Sequence, residues 1–386
     1  MSQSHAPVVI TATSALTPFG CGGEDFWLGI TQATHSPSEK EVPALDVKAL
    51  LGPRGLRHWD RTALLLGCAA RLAMNEGDWE QAGYQPDEAG VVFGSTHGSI
   101  EAIVSFDKEA VAEGPRYVNP QAFANTVINA PAGRLAMHFD LPGLNTTVSS
   151  GLSSVLDAIG YAEGMIRRGR IQAVLCGGAL GWSPAIAWGY ERNQRLAVNG
   201  QPSPPFDAAG EGGSLREGAG VLLLECPERA AARNRQPLAK ITGSGACFEP
   251  DVSSPSFSGP ESAIRFALKQ AGREADELAA VVSCARGLAL TDEVEFKALA
   301  NLVPETVPIT APAGACGDSL ETVGALAMIT AVEMLTHGQI PKIAGGRPRP
   351  GLNLVLEQTQ SFAPGPVLVS SWDPEGHGAA VILEPG

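Results

Sequence analysis

The sequence predicts an α/β protein, because short buried strands and amphipathic helices alternate along it. Residues 143–180 show this alternation most clearly. Apolar residues recur there at helical spacing, at Leu152, Val155, Leu156, Ile159 and Ile166. Two arginines and Gly169 then end the predicted helix. Residues 173–176 are apolar throughout and are followed by two glycines, which is typical of a buried strand.

The other elements follow from the same patterns, taken in chain order. In the first part of the chain we expect a strand over 8–13, a helix over 60–76 and a strand over 90–94. In the second part we expect a helix over 260–271, a strand over 281–284, a helix over 291–299 capped by Thr291 or Asp292, an apolar helix over 319–335 and a strand over 379–383.

Composition and charge narrow the classes of function. The formal net charge of −14 argues against a nucleic-acid surface and against a strong basic patch for an acidic carrier protein. No apolar run is long enough for a membrane span, and the N-terminus lacks the pattern of a signal peptide. The seven cysteines are scattered without metal-binding spacing. We therefore expect a cytoplasmic protein with reduced thiols and with neither a metal ion nor a cofactor.

Residues 143–178 resemble the nucleophile segment of the β-ketoacyl synthases, which have the thiolase fold. That segment places Ala-Cys-x-Ser at the start of a buried helix, and its next strand ends in Gly-Gly. The match has no gap and puts the family's nucleophilic cysteine at Leu152, whose side chain cannot attack a thioester. In two features the segment resembles the chain-length factors. Their helix also lacks the cysteine and carries Leu-Asp-Ala, the triplet found here at residues 156–158. Chain-length factors are the non-nucleophilic partners of ketosynthases in type II polyketide synthases.

A second motif also resembles the ketosynthases. It is Pro-Phe-Asp followed by Glu-Gly-Ala-Gly and a β run over 205–225, and the matching residues are Phe206, Asp207, Glu217, Gly218, Ala219 and Gly220. The resemblance implies two similar halves packed as five α-β-α-β-α layers. Two weak internal echoes agree with it, pairing 220–227 with 379–385 and 89–92 with 279–282. We predict that the halves are residues 1–240 and 241–386.

The remaining catalytic positions of the family are also changed. Ketosynthases use two histidines besides the cysteine, and a lysine stands shortly before the second. The resemblance puts the first histidine at Cys284, the second at Asp318 and the lysine at Ala313. The aromatic gate of the family's Gly-Phe-Gly-Gly loop becomes Pro374. No histidine occurs anywhere between residues 139 and 336, so a small shift of register cannot restore one.

The resemblance implies a chain-length factor that pairs with a catalytic ketosynthase and lines its acyl tunnel. Acyl carrier protein would then be contacted mainly through that partner. The candidate tunnel residues are His97, Phe106, Ala122, Phe123, Leu152 and Pro374. Two alternatives stay open. One is an acyl-thioester decarboxylase or hydrolase that uses Cys284 and Asp318, and the other is a non-catalytic scaffold.

Overall fold

The computed structural model describes residues 6–43, 45–197, 201–251 and 258–386. The first six strands are β1 (Val8–Thr17), β2 (Gly20–Cys21), β3 (Ala89–Gly94), β4 (Asn145–Val148), β5 (Ala173–Leu180) and β6 (Gly218–Glu225). The later strands are β7 (Ala239–Phe248), β8 (Ala280–Ser283), β9 (Pro308–Thr310), β10 (Gln339–Ile340), β11 (Asn353–Leu354), β12 (Gln360–Ser361), β13 (Val367–Trp372) and β14 (His377–Pro385).

Helices connect and cover these strands. Those before β6 are α1 (Gly23–Gln32), α2 (Val47–Leu51), α3 (Arg61–Glu76), α4 (Trp79–Ala82), α5 (Ile100–Glu113), α6 (Pro120–Phe123), α7 (Ala130–His138), α8 (Ser154–Arg167) and α9 (Pro184–Arg192). Those after it are α10 (Pro227–Ala232), α11 (Ser258–Ala271), α12 (Ala289–Leu302), α13 (Ala313–Cys316) and α14 (Val323–His337). Short 3₁₀ turns lie at Pro86–Glu88, Ala275–Glu277 and Leu320–Thr322.

The strands and helices predicted from the sequence are confirmed, but two predicted helix starts are wrong. Helix α12 begins at Ala289, so Thr291 and Asp292 lie inside it. The Asp292 carboxylate instead accepts backbone N–H groups of Phe206, Arg286 and Gly287 at 2.8–3.1 Å. Helix α14 begins at Val323 rather than at residue 319, because the 3₁₀ turn Leu320–Thr322 precedes it.

The two parts of the chain have the same strand order. In the first part the order is β4-β3-β5-β6-β1, and in the second it is β9-β8-β13-β14-β7. Within each set the first three strands are parallel and the last two pairings are antiparallel. Three residue pairs between β1 and β7 join the sets. The echoed stretches fall on equivalent strands, β6 with β14 and β3 with β8. This duplicated arrangement is the thiolase fold.

Three apolar clusters separate the layers of this fold. In one, helices α3 and α7 pack on the outer face of the first set of strands. In the second, α8 and α14 lie between the two sets and contact strands of both. In the third, α11 and α12 cover the outer face of the second set. Alternate residues along a strand point to opposite faces, so each strand contributes to two clusters. No helix of the described residues is both long and apolar enough to cross a bilayer.

Helix α8 lies unusually close to β3, and a glycine permits this. A Cβ atom built on Gly94 would be 2.5 Å from Val155 Cα and 2.6 Å from the Ser154 carbonyl oxygen. A Cβ on Gly178, in the adjacent strand β5, would be 2.6 Å from a methyl group of Val155. These glycines set the depth at which the start of α8 lies against the sheet.

We expect Gly94→Ala to destabilise the protein by about 2–3 kcal/mol, because a backbone cannot move aside as a side chain can. The measurement is the urea midpoint and the thermal unfolding midpoint by circular dichroism. Gly133→Ala is the matched control, since nothing lies within 4 Å of its added Cβ. Alanine is also the better helix former inside α7. Equal midpoints for the two variants would contradict this account of α8.

Candidate functional site

The loop before α8 places Leu152 at the end of a buried helix. Gly151 has a φ of +62°, a conformation that glycine adopts without strain. Its carbonyl oxygen accepts the hydroxyl groups of Thr96 at 2.6 Å and of Ser154 at 2.5 Å. Leu152 is only 5% exposed and packs in an apolar cluster that includes Leu215 and Leu320. The position matched to the nucleophile is therefore an apolar contact.

A carboxylate of the same chain is hydrogen-bonded to the backbone amide of Leu152. The backbone N–H of Leu152 donates to Asp373 Oδ2 at 2.6 Å. Asp373 is almost fully buried, and burial together with the nearby Glu375 carboxyl raises its pKa to about 6. It is therefore mainly ionised at neutral pH. This N–H lies two residues before Ser154, the first residue of α8, so the chain itself supplies an anion close to the positive end of that helix.

Asp373 lies in the turn that joins β13 and β14. Its own N–H donates to the His377 carbonyl at 2.8 Å, and Gly376 N–H donates back to the Asp373 carbonyl at 2.9 Å. Pro374 is half-buried in this turn, and the following Glu375 forms an ion pair with Arg195 of the segment after α9. In this turn a proline lies between two carboxylates, at the position that the resemblance matches to the family's aromatic gate.

Two positions matched to catalytic residues lie beside a buried arginine. The Arg286 Nη1 atom is 3.1 Å from Asp318 Oδ1, and both side chains are at most 3% exposed. Arg286 Nη2 and Asp318 Oδ2 have no hydrogen-bond partner within the described structure. Burial raises the pKa of Asp318, and the arginine partly offsets that effect. Burial also raises the pKa of the Cys284 thiol to about 12, which leaves almost no thiolate at neutral pH.

The other matched positions show no reactive arrangement. Cys316 is buried with a pKa raised by burial to about 12, and its thiol donates to the Pro312 carbonyl at 3.2 Å. Ala313 begins the short helix α13 and lines a small cavity of about 190 Å³ with Gly345 and Arg347. Neither supplies a base for Cys284.

His97, a predicted tunnel residue, belongs to a polar chain whose other members the sequence did not predict. His97 Nδ1 is 2.9 Å from Glu321 Oε2, and Tyr190 Oη is 3.1 Å from His97 Nε2. Glu321 is fully buried and also accepts the backbone N–H groups of Thr96 and His97. Burial lowers the pKa of His97, but the charge and hydrogen bond of Glu321 outweigh it and raise that pKa.

This polar chain borders a cavity of about 580 Å³ between α5 and α9. Its apolar lining comes from Ile100, Val104, Ala185 and Ile186, and its polar lining from His97, Tyr190, Asn193 and Arg195. A cavity of this size with an apolar wall and a few polar groups is typical of a small-molecule site. Of the predicted tunnel residues, His97 lines it.

Three further predicted tunnel residues, Phe106, Ala122 and Phe123, lie on α5 and α6. The rings of Phe106 and Phe123 are in contact, with centroids 5.9 Å apart. Phe106 and Ala122 are half-buried, whereas Phe123 is 59% exposed. Phe106, Ala122 and Phe123 are not among the residues that line the 580 Å³ cavity. Their role in a tunnel stays a prediction, because a tunnel between two chains is formed only when the second chain is present.

Several site residues escaped the sequence analysis. Arg286 and Glu321 are charged residues in otherwise apolar or glycine-rich segments, and that signal could have identified them. Asp373 directly precedes Pro374 in the loop matched to the family's Gly-Phe-Gly-Gly motif. Tyr190 carries no signal in the sequence, because its neighbour His97 is 93 residues away in the chain.

The fold and this altered site define a ketosynthase-like protein, and sequence comparison supports the same conclusion. The profile described as Beta-ketoacyl synthase, N-terminal domain matches residues 49–230. The profile described as Beta-ketoacyl synthase, C-terminal domain matches residues 238–347. The chain belongs to the β-ketoacyl synthase family.

Individual proteins resemble the chain over most of its length. The mitochondrial Putative 3-oxoacyl-[acyl-carrier-protein] synthase of Schizosaccharomyces pombe is 27% identical, covering 86% of this chain and 87% of its own. The Tetracenomycin polyketide synthase ketoacyl synthase beta subunit of Streptomyces glaucescens is 26% identical over 99% of both. The solved structure of the ishigamide ketosynthase/chain length factor has a TM-score of 0.90 at 23% identity, covering 99% of this chain and 100% of that one.

We expect the Asp373 carboxylate to suppress the reactivity of a thiol placed at position 152. In Leu152→Cys the new thiol would lie beside this anion, which raises a thiol pKa. Adding Asp373→Asn removes the charge and keeps an oxygen that can accept the residue-152 N–H. The rate of iodoacetamide alkylation at residue 152, followed at neutral pH by peptide mass spectrometry, should rise about tenfold, since one pKa unit is a factor of ten.

The control is the exposed Asp140→Asn in the same Leu152→Cys background, which should leave the rate unchanged. Both rates come from chains with the same cysteine, so differences in access to the buried position cancel. Equal alkylation with and without the Asp373 charge would show that the carboxylate does not control this helix end.

Proposed function

We propose that this chain is a non-nucleophilic chain-length factor. In this role it forms a heterodimer with a catalytic ketosynthase and shapes the acyl tunnel during decarboxylative Claisen elongation of carrier-protein-bound polyketide chains. The observation that carries the proposal is the contact between the Leu152 amide and the Asp373 carboxylate. A nucleophile is missing, and the helix end that would stabilise an oxyanion already holds an anion.

The surface of the first half supports a partner chain. Strand β4 is the last strand of its sheet and, within the described structure, pairs only with β3. The equivalent strand of the second half, β9, is covered by β11. An uncovered strand with free backbone groups is a template for pairing with another chain. We infer that a ketosynthase pairs with β4.

Exposed apolar side chains are concentrated in the segment before this strand. They are Val111, Tyr117, Phe123, Val127, Ile128 and Met137, with exposed fractions from 37% to 87%. A group of exposed apolar residues beside an open strand favours a buried interface over a free surface. This segment includes two of the predicted tunnel residues, Ala122 and Phe123.

The net charge bears on the contact with acyl carrier protein. At −14 the chain would repel an acidic carrier rather than attract it. We therefore assign carrier binding mainly to the ketosynthase partner. The divergence of the motifs from those associated with aromatic systems favours a reducing, polyene-type pathway. We also propose a cytoplasmic location and a boundary between the halves near residue 240.

The alternatives have less support. A hydrolase or decarboxylase built on Cys284 would need a base, but the nearby Asp318 is paired with Arg286 and the thiol pKa is about 12. A scaffold without a tunnel role would not need the exposed apolar segment to contain Ala122 and Phe123. The two following experiments separate these possibilities.

We expect only the partner ketosynthase to be acylated when the two chains are produced together and given an acyl-carrier thioester. Intact-protein and peptide mass spectrometry identify the modified chain and residue. Elongation should require both chains and should stop when the partner's nucleophile is replaced. Acylation of this chain at Cys284 or Cys316 would instead identify a working enzyme, and elongation by the partner alone would leave only the scaffold role.

We expect Phe106→Ala to lengthen the product and Ala122→Phe to shorten it, each by roughly one two-carbon unit, because tunnel volume limits the chain. Products of the complex are sized by liquid chromatography with mass spectrometry. Phe266→Ala is the matched control, since Phe266 is 58% exposed on α11 in the other half. An unchanged product distribution in both test variants would exclude these residues from the tunnel.

A further inference from the structure

The cavity between α5 and α9 has an apolar wall and one polar end. Ile100 and Val104 of α5 face Ile186 of α9, and His97 and Tyr190 lie together at the polar end. His97 and Glu321 are too buried for either charge to be solvated freely, and they neutralise each other. At the polar end, the Tyr190 hydroxyl borders the cavity and carries a hydrogen that can rotate.

The protonation of His97 decides where that hydrogen points. Glu321 accepts from His97 Nδ1, so a protonated ring donates its Nε2–H to the Tyr190 oxygen 3.1 Å away. Tyr190 then keeps its own O–H for another acceptor. A neutral ring would accept that hydrogen and leave the hydroxyl without a free donor. The Glu321 carboxylate favours the protonated ring, as does Asp318 more weakly.

The other polar side chains of the cavity lining each have a contact within the chain. The Asn193 side-chain amide donates to the Gly189 carbonyl at 2.7 Å. Arg195 forms its ion pair with Glu375 at the β13–β14 turn. Tyr190 differs from both because its ring packs against the apolar cluster that contains Ile186, so its hydroxyl lies where the apolar wall meets the polar end.

We propose that Tyr190 is a specificity-determining donor, which binds a carbonyl or hydroxyl oxygen at the distal end of an acyl chain held in this cavity. His97 and Glu321 are positioning residues, because they act through Tyr190 and keep its hydroxyl hydrogen available. The choice of an acyl chain as ligand rests on the proposed function, whereas the choice of an oxygen-bearing end rests on this geometry. The cavity thus distinguishes an oxygenated chain end from a plain alkyl end.

The test measures binding of two amide-linked acyl-pantetheine probes to the full-length chain by isothermal titration calorimetry. One probe carries an octanoyl chain, and the other carries the same chain with a ketone on its penultimate carbon. The pantetheine part is the same in both probes, so its contribution cancels in the ratio of their affinities. We expect the ketone probe to bind about three- to tenfold more tightly, the range of one net hydrogen bond.

Tyr190→Phe removes the hydroxyl and keeps the ring, and it should abolish the preference for the ketone probe. Glu321→Gln keeps a hydrogen-bond acceptor for His97 but removes the charge, and it should reduce the preference with Tyr190 still present. Tyr161→Phe, at a 40% exposed position of α8, is the matched control and should retain the full preference. Thermal unfolding verifies that each variant is folded.

Equal affinities of the two probes for the unaltered chain would overturn the proposal, as would a preference that survives in Tyr190→Phe. Absence of saturable binding of either probe would also overturn it, because the cavity would then not be an acyl site. A preference unchanged in Glu321→Gln would overturn the positioning role. These outcomes are independent of the proposed function, whose failure appears in the complex as acylation of this chain or as elongation without it.

Discussion

The Leu152 amide and the Asp373 carboxylate, 2.6 Å apart, join two parts of the molecule that are 221 residues apart in the chain. One group belongs to the loop just before α8, in the first half, and the other to the β13–β14 turn of the second half. Gly94 and Gly178 let α8 lie close to the sheet, and the missing side chain of Gly151 leaves space for the Asp373 carboxylate beside this loop. The contact places an anion close to the positive end of the helix.

Buried charges around this contact are paired with each other rather than held ready for a reaction. Arg286 pairs with Asp318, and His97 pairs with Glu321. Burying each ion is costly, and the partner's charge and extra hydrogen bonds offset that cost. Active sites keep groups with shifted pKa values near a substrate, as a base beside a nucleophile must be. Here the Cys284 thiol is held protonated.

The two halves of the fold differ at the outer edge of their strands. Strands β4 and β9 occupy equivalent places in the two halves, yet only β9 has a further strand beside it. Exposed apolar residues accumulate before β4, and one of them, Val111, lies on α5, the helix that forms one wall of the 580 Å³ cavity. The open edge of the sheet, the exposed apolar residues and the cavity wall all come from the first half of the chain.

The sequence alone determined the order of strands and helices, because apolar periodicity is a local property. It also determined the missing chemistry, since Leu152 cannot be a nucleophile and no histidine stands between residues 139 and 336. Only the tertiary structure decided what replaced that chemistry. Asp373 reaches Leu152, Glu321 reaches His97, and Asp292 accepts the N–H of Phe206 besides two amides of the loop before α12. Leu152, His97 and Phe206 are far in the chain from the carboxylates that they contact, so no local pattern encodes these pairs, and the packing of layers brings them together.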